Sequence, residues 1–157
     1  MNIKHIWSVL CKDSIINQDD NNISINGVLE ELAVSLTPVK ETGKPPEKFG
    51  LPINYEIVSM WQRNSQVEAA KAEIEYIFID PDKNELLKNT QSIEISKTSR
   101  RHRSRMKIVG MPLTKEGDYT FQVKIKEEGS DKFHIVAELP LEVKISLQKT
   151  PVNHQMN

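Results

Sequence analysis

The sequence predicts an all-β fold, a two-sheet antiparallel sandwich of about seven to nine strands with little helix. Three observations predict it: apolar residues alternate in runs of five to ten, clusters of Asn, Asp, Gly, Pro and Lys separate the runs, and helical periodicity is nearly absent. Each sheet of such a fold has one apolar face to bury, and short alternating strands supply it. No internal repeat occurs, which argues against a propeller or solenoid.

Taken in order, the first strand covers Ile3 to Cys11, with Ile3, His5, Trp7, Val9 and Cys11 on one face. Asn17 to Asn22 is a polar turn. Ile23 to Leu36 is strand-like at both ends, and Gly27 inside it marks a bulge or a close backbone approach. Pro38 to Pro52 holds four prolines, two glycines and five charged residues, which predicts a long exposed loop, the most mobile part of the chain. Strands resume at Ile53 to Trp61 and Ala70 to Ile79, expected to pair through Gln62 to Ala69. A short helix at Ser65 to Ala72 competes with that reading, because Ser65 and Glu68 have capping-box spacing. Asp80 to Asn84 is a turn, with Pro81 setting the backbone angle at its second position. Further strands are expected at Ser92 to Lys97, Arg105 to Met111, Tyr119 to Glu127 and Phe133 to Leu147. The last puts Phe133, Ile135, Ala137, Leu139, Leu141, Val143, Ile145 and Leu147 on one face, and Pro140 makes it an edge strand or splits it.

A chain of 157 residues fits one domain, 1–147, followed by a polar tail, 148–157, expected to fray. With 21 basic and 22 acidic residues the net charge is −1, so affinity for a polyanion must come from a local patch. The single Cys11 forms no internal disulfide, which fits a reducing compartment. The apolar stretch Ile6 to Cys11 is too short for a signal-peptide core, and no run approaches the roughly 20 apolar residues of a spanning helix. A cytoplasmic protein without a membrane partner is expected.

The Ile23-Ser24-Ile25-Asn26-Gly27-Val28-Leu29-Glu30 segment and the late Gly117-Asp118-Tyr119-Thr120-Phe121-Gln122-Val123 strand resemble an uncharacterised family of small bacterial immunoglobulin-like β-sandwich proteins. The resemblance spans most of the chain and implies an immunoglobulin-like fold. It brings no activity or catalytic residues. The Arg-rich segment near residue 100 and the tail after Leu147 depart from the family pattern.

The strongest candidate site is Arg100, Arg101, Arg103, Arg105 and Lys107. If this segment is strand, Arg101, Arg103, Arg105 and Lys107 share one face at roughly 6.6 Å spacing, a stripe able to follow phosphates. About four phosphate contacts would give a log-log salt slope near −3 to −4. The stacking aromatics of single-strand binders are not interleaved here. A charged edge strand that resists aggregation is the competing reading, and a surface for an acidic protein lies between the two. His102 is expected to belong to the patch.

Asp80, Asp82 and Asn84 begin like a calcium loop, but Glu85 and Gln91 stand where that loop needs Gly and Glu. A calcium site joining Asp13, Asp19 and Asp20 to Asp80 and Asp82 competes with plain turns. Cys11 in an apolar strand reads as an inert thiol. Trp7 and Trp61 read as core residues, and Tyr119 as a corner tyrosine bonded to upstream backbone. No zinc spacing, phosphate loop or nucleophile elbow is present, and no cofactor is expected. The chain therefore reads as a non-enzymatic interaction module binding a protein partner or itself. Nucleic-acid binding through Arg100 to Lys107 is the alternative, and an unrecognised enzyme is the third reading. Reversing Arg101, Arg103 and Arg105 to Glu is the natural control for partner recovery.

Overall fold

The computed structural model describes residues 1–44 and 46–148. Among these residues nine strands and no helix form: β1 Ile3–Ile16, β2 Ile23–Val28, β3 Glu31–Leu36, β4 Phe49–Arg63, β5 Ala70–Ile79, β6 Glu85–Ile95, β7 Arg101–Leu113, β8 Gly117–Glu127 and β9 His134–Leu147. They make a four-stranded sheet, β2-β1-β4-β7, and a five-stranded sheet, β3-β9-β8-β5-β6. Every pairing is antiparallel except β3 with β9, which run parallel in a register from Glu31–Glu142 to Leu36–Leu147. The tail expected at 148–157 lies outside the described residues beyond Gln148, whose N–H donates to the Leu36 carbonyl at 2.7 Å.

One hydrophobic core fills the space between the sheets. Tyr55, Ile57 and Trp61 of β4 alternate inward, as do Ile74, Tyr76 and Phe78 of β5 and Tyr119, Phe121, Val123 and Ile125 of β8. Phe78 stacks on Phe121 with centroids 4.4 Å apart, and Tyr55 of the facing sheet meets Phe121 at 5.9 Å.

Several expectations are corrected. β4 and β5 do not pair through Gln62 to Ala69; β4 bonds β1 and β7 while β5 bonds β6 and β8, so the chain crosses between sheets there, and Ser65 to Ala72 holds no helix. Arg63, a residue with no periodic signature, fixes that crossing. It is buried, and its guanidinium donates to the carbonyls of Asn64, Val67, Lys97 and Ser99, holding two loops at once. Phe49 to Pro52, read as loop, opens β4, and Pro52 is tolerated because the register shifts between Leu51 and Asn54.

Bulges break two predicted faces. A shift between His5 and Trp7 keeps Ile3 and His5 toward the core but turns Trp7, Val9 and Cys11 to the outer face, so Trp7 is not a core residue. A second, at Val123/Lys124 opposite Ala137 and Ile135, leaves Ile135 53% exposed and packs Val136 inward instead.

Pro140 does not split β9. It pairs with Thr120, two residues before Glu142, whose N–H donates to the Glu30 carbonyl on the β3 side at 3.0 Å. By alternation the ring nitrogen of Pro140 faces that same side, above the point where β3 begins to pair, so no ladder bond is lost.

Candidate interaction surface on the outer sheet face

Among the described residues β7 lies at the edge of the four-stranded sheet and bonds β4 alone. Ser104 and Ile108 are buried inward, which turns Arg101, Arg103, Arg105 and Lys107 outward, opposite Gln62, Met60, Val58 and Glu56 of β4. Arg100 precedes the strand and is exposed; its carbonyl accepts the Arg63 N–H at 2.8 Å. His102 falls on the inner side opposite Trp61, and burial lowers its pKa, so it adds no charge to the stripe at neutral pH.

The outward face is occupied in its middle. β1 stops pairing with β4 at Cys11–Glu56, and the rest of it, with β2, forms a hairpin that folds over the sheet. Arg103 Nη2 donates to the Asn21 carbonyl at 2.9 Å, and Arg105 Nη1 donates to the Ser14 carbonyl and Oγ, both at 3.3 Å. Ser14 Oγ in turn donates to Glu56 Oε2 at 2.6 Å, and both residues are buried. Cys11 and Val58 are fully buried beneath, although neither belongs to the core between the sheets. Burial first, and the negative charges of Glu56 and Asp13 second, push the Cys11 thiol up to about 11, so it is protonated and unreactive at neutral pH.

The cations left exposed are Arg100, Arg101 and Lys107. Arg101 Nε donates to Gln62 Oε1 at 3.3 Å. None of the four ion pairs among the described residues involves the stripe. Lys107 also borders a cleft of about 620 Å³ where β1 peels away from β4, with Leu29, Leu32, Ile53 and Tyr55 among its walls and Val109, 85% exposed, at its rim.

The carboxylates with calcium-loop spacing are engaged in a turn. Asp80 Oδ1 accepts the N–H groups of Asp82 and Asn84 at 2.9 and 2.8 Å, and Oδ2 accepts Thr114 Oγ1 at 3.0 Å and Asn84 Nδ2 at 3.2 Å. Burial opposes its ionisation, but those donors prevail and hold its pKa below the ordinary value. Asp82 pairs with Lys115 at 2.6 Å and Asp13 accepts from Asn26. Among the described residues no three His, Cys, Asp or Glu side chains converge as a metal site.

Tyr119 closes the adjoining corner: its hydroxyl donates to the Lys115 carbonyl at 2.5 Å and accepts the N–H groups of Thr114 and Lys115, each at 3.0 Å. Gly117 is required beside it, since a Cβ there would lie 2.9 Å from Pro81 Cγ.

No family model and no curated protein matches the sequence. Among solved structures, a family 123 glycoside hydrolase from Clostridium perfringens, described for glycolipid glycan hydrolysis, is similar at 12% identity and a TM-score of 0.44. The match covers 95% of this chain but 28% of that one, and a likeness this weak carries no argument about activity. No helix among the described residues is long and apolar enough to cross a membrane.

Proposed function

We propose that the chain is a non-enzymatic interaction module that receives an extended acidic segment of a protein partner along β7. The observation that carries this reading is a 13-residue edge strand, bonded on one side only among the described residues, whose exposed cations Arg100, Arg101 and Lys107 have no carboxylate partner among them. An open edge offers a ladder of backbone groups to an added strand, and unpaired cations select its charge. The cleft beside Lys107 gives an apolar side chain of the partner a place to anchor.

The module is read as an immunoglobulin-like sandwich, in keeping with the resemblance to the uncharacterised bacterial family. The pairings of β4 with β7, β5 with β8 and β8 with β9 parallel those of strands B with E, C with F and F with G in that fold, and Tyr119 stands at the start of β8 as a corner tyrosine does. The absence of a strand beyond β7 among the described residues is what leaves its edge open.

Nucleic-acid binding is less well supported, because Arg103 and Arg105 in the middle of the stripe are already bonded to backbone. The test measures binding of polyglutamate and of single- and double-stranded nucleic acid at two salt concentrations, with an R101E/K107E double variant as control. Polyglutamate binding lost in the variant supports the reading. Nucleic-acid binding without polyglutamate binding overturns it. Reversing Arg103 or Arg105 is a poor control, since those side chains hold the hairpin.

A further inference from the structure

We infer that the β1–β2 hairpin is a releasable clasp that competes with the acidic segment for Arg103 and Arg105, so the interaction surface is autoinhibited in the closed molecule. The inference rests on the acidic-partner reading. The carbonyl oxygens of Asn21 and Ser14 occupy the guanidinium donors that carboxylate oxygens of a partner would take.

The hairpin satisfies those donors poorly. Arg103 Nε is buried with no partner among the described residues, and both bonds from Arg105 are long at 3.3 Å. A carboxylate binds a guanidinium through two parallel charge-assisted bonds and would engage Arg103 Nε together with Nη2. The hairpin is also weakly tied. Asp13 to Ile16 pair with β2 alone, β2 pairs with β1 alone and is mostly exposed, and an isolated two-stranded ribbon is marginal in water. Beneath it Glu56 is a buried carboxylate held by Ser14 Oγ, and opening lets water solvate it.

Cys11 is the only cysteine, so alkylation of the native full-length chain by iodoacetamide reads the opening. Ser14→Ala removes the hydroxyl bonded to Glu56 and Arg105 but keeps both arginines. It is expected to alkylate about tenfold faster and to bind polyglutamate several-fold tighter than the natural chain. Arg105→Gln is expected to alkylate faster and bind more weakly. Gly27→Ala strains the ribbon at φ +63°, where a Cβ would meet Lys12, and serves with the same expectation as Ser14→Ala should that variant fail to fold.

Polyglutamate should accelerate alkylation of the natural chain saturably. If it binds without accelerating alkylation, or if Ser14→Ala alkylates faster without binding tighter, the hairpin is part of the scaffold and the clasp is overturned. If polyglutamate binds neither the natural chain nor Ser14→Ala, the acidic-partner reading itself fails, and the competition fails with it.

Discussion

The corner at Asp80 and Tyr119 and the clasp under Arg103 and Arg105 both use polar side chains to hold loops, and they are built in opposite ways. The corner is built mostly from neighbours: Tyr119 reaches back four residues, Asp80 accepts donors two and four residues on, and the Thr114 hydroxyl, 34 residues away, joins the two turns. Its tyrosine bonds to backbone run from 2.5 to 3.0 Å. The clasp joins positions 82 and 91 residues apart, through bonds of 2.9 and 3.3 Å, and leaves a guanidinium nitrogen unpaired. The first is a fixed joint formed by short loops. The second is a contact between distant segments that a better acceptor can displace.

The largest expected effect breaks the joint. Asp80→Ala strands the N–H groups of Asp82 and Asn84 and the Thr114 hydroxyl, and should cost about 3 kcal/mol in urea unfolding. Tyr119→Phe orphans two N–H groups and one carbonyl and should cost about 2 kcal/mol by the same measurement. Ser14→Ala in the clasp should cost about 1 kcal/mol. A cost equal to that of Tyr119→Phe would erase the contrast between joint and clasp.

Acidity separates the corner from the interior beside Trp61. His5 and His102 flank Trp61, and burial holds both below their ordinary value of 6.5, with a backbone bond near Trp7 partly offsetting this for His5. The unfolded chain therefore binds these protons first. Their stabilisation is complete above pH 6.5 and is lost as pH falls toward the folded-state values, and a H5Q/H102Q variant should flatten that slope in urea midpoints. Asp80, whose pKa is lowered, keeps its contribution through that window and loses it only as pH falls from the ordinary carboxylate value through its folded one. The smallest effect is expected from R101E/K107E. It should change stability by less than about 0.5 kcal/mol while abolishing partner binding, as exposed charges do.

Much of the fold was legible because burial in a sheet writes itself in period two. The inward sets of β5 and β8 follow from sequence alone, as do the Asp80 turn and the Tyr119 corner, whose backbone partners are local; the Thr114 hydroxyl on Asp80, 34 residues away, does not follow. Bulges at His5/Trp7 and Val123/Lys124 were not legible, since a one-residue shift changes the face of a strand without changing its composition. Neither was the route from β4 to β5, which depends on Arg63 meeting a loop 34 to 36 residues away. The same limit applies to the candidate surface. Alternation placed Arg101, Arg103, Arg105 and Lys107 on one face, but nothing near residue 100 signals that a hairpin from residues 13 to 26 lies across it. Asn17 to Asn22 indicated a turn and Gly27 a bulge or close backbone approach, without indicating what the hairpin covers.

Pro140 has a consequence for the crowded molecule. The stretch from His134 to Leu141 has no neighbour on its β3 side among the described residues, and a second copy laid along it would meet a ring methylene where the ladder needs an N–H donor. The missing amide is a brake on uncontrolled growth of the five-stranded sheet. A proline to valine change there would leave the monomer nearly as it is while lowering the concentration at which it precipitates.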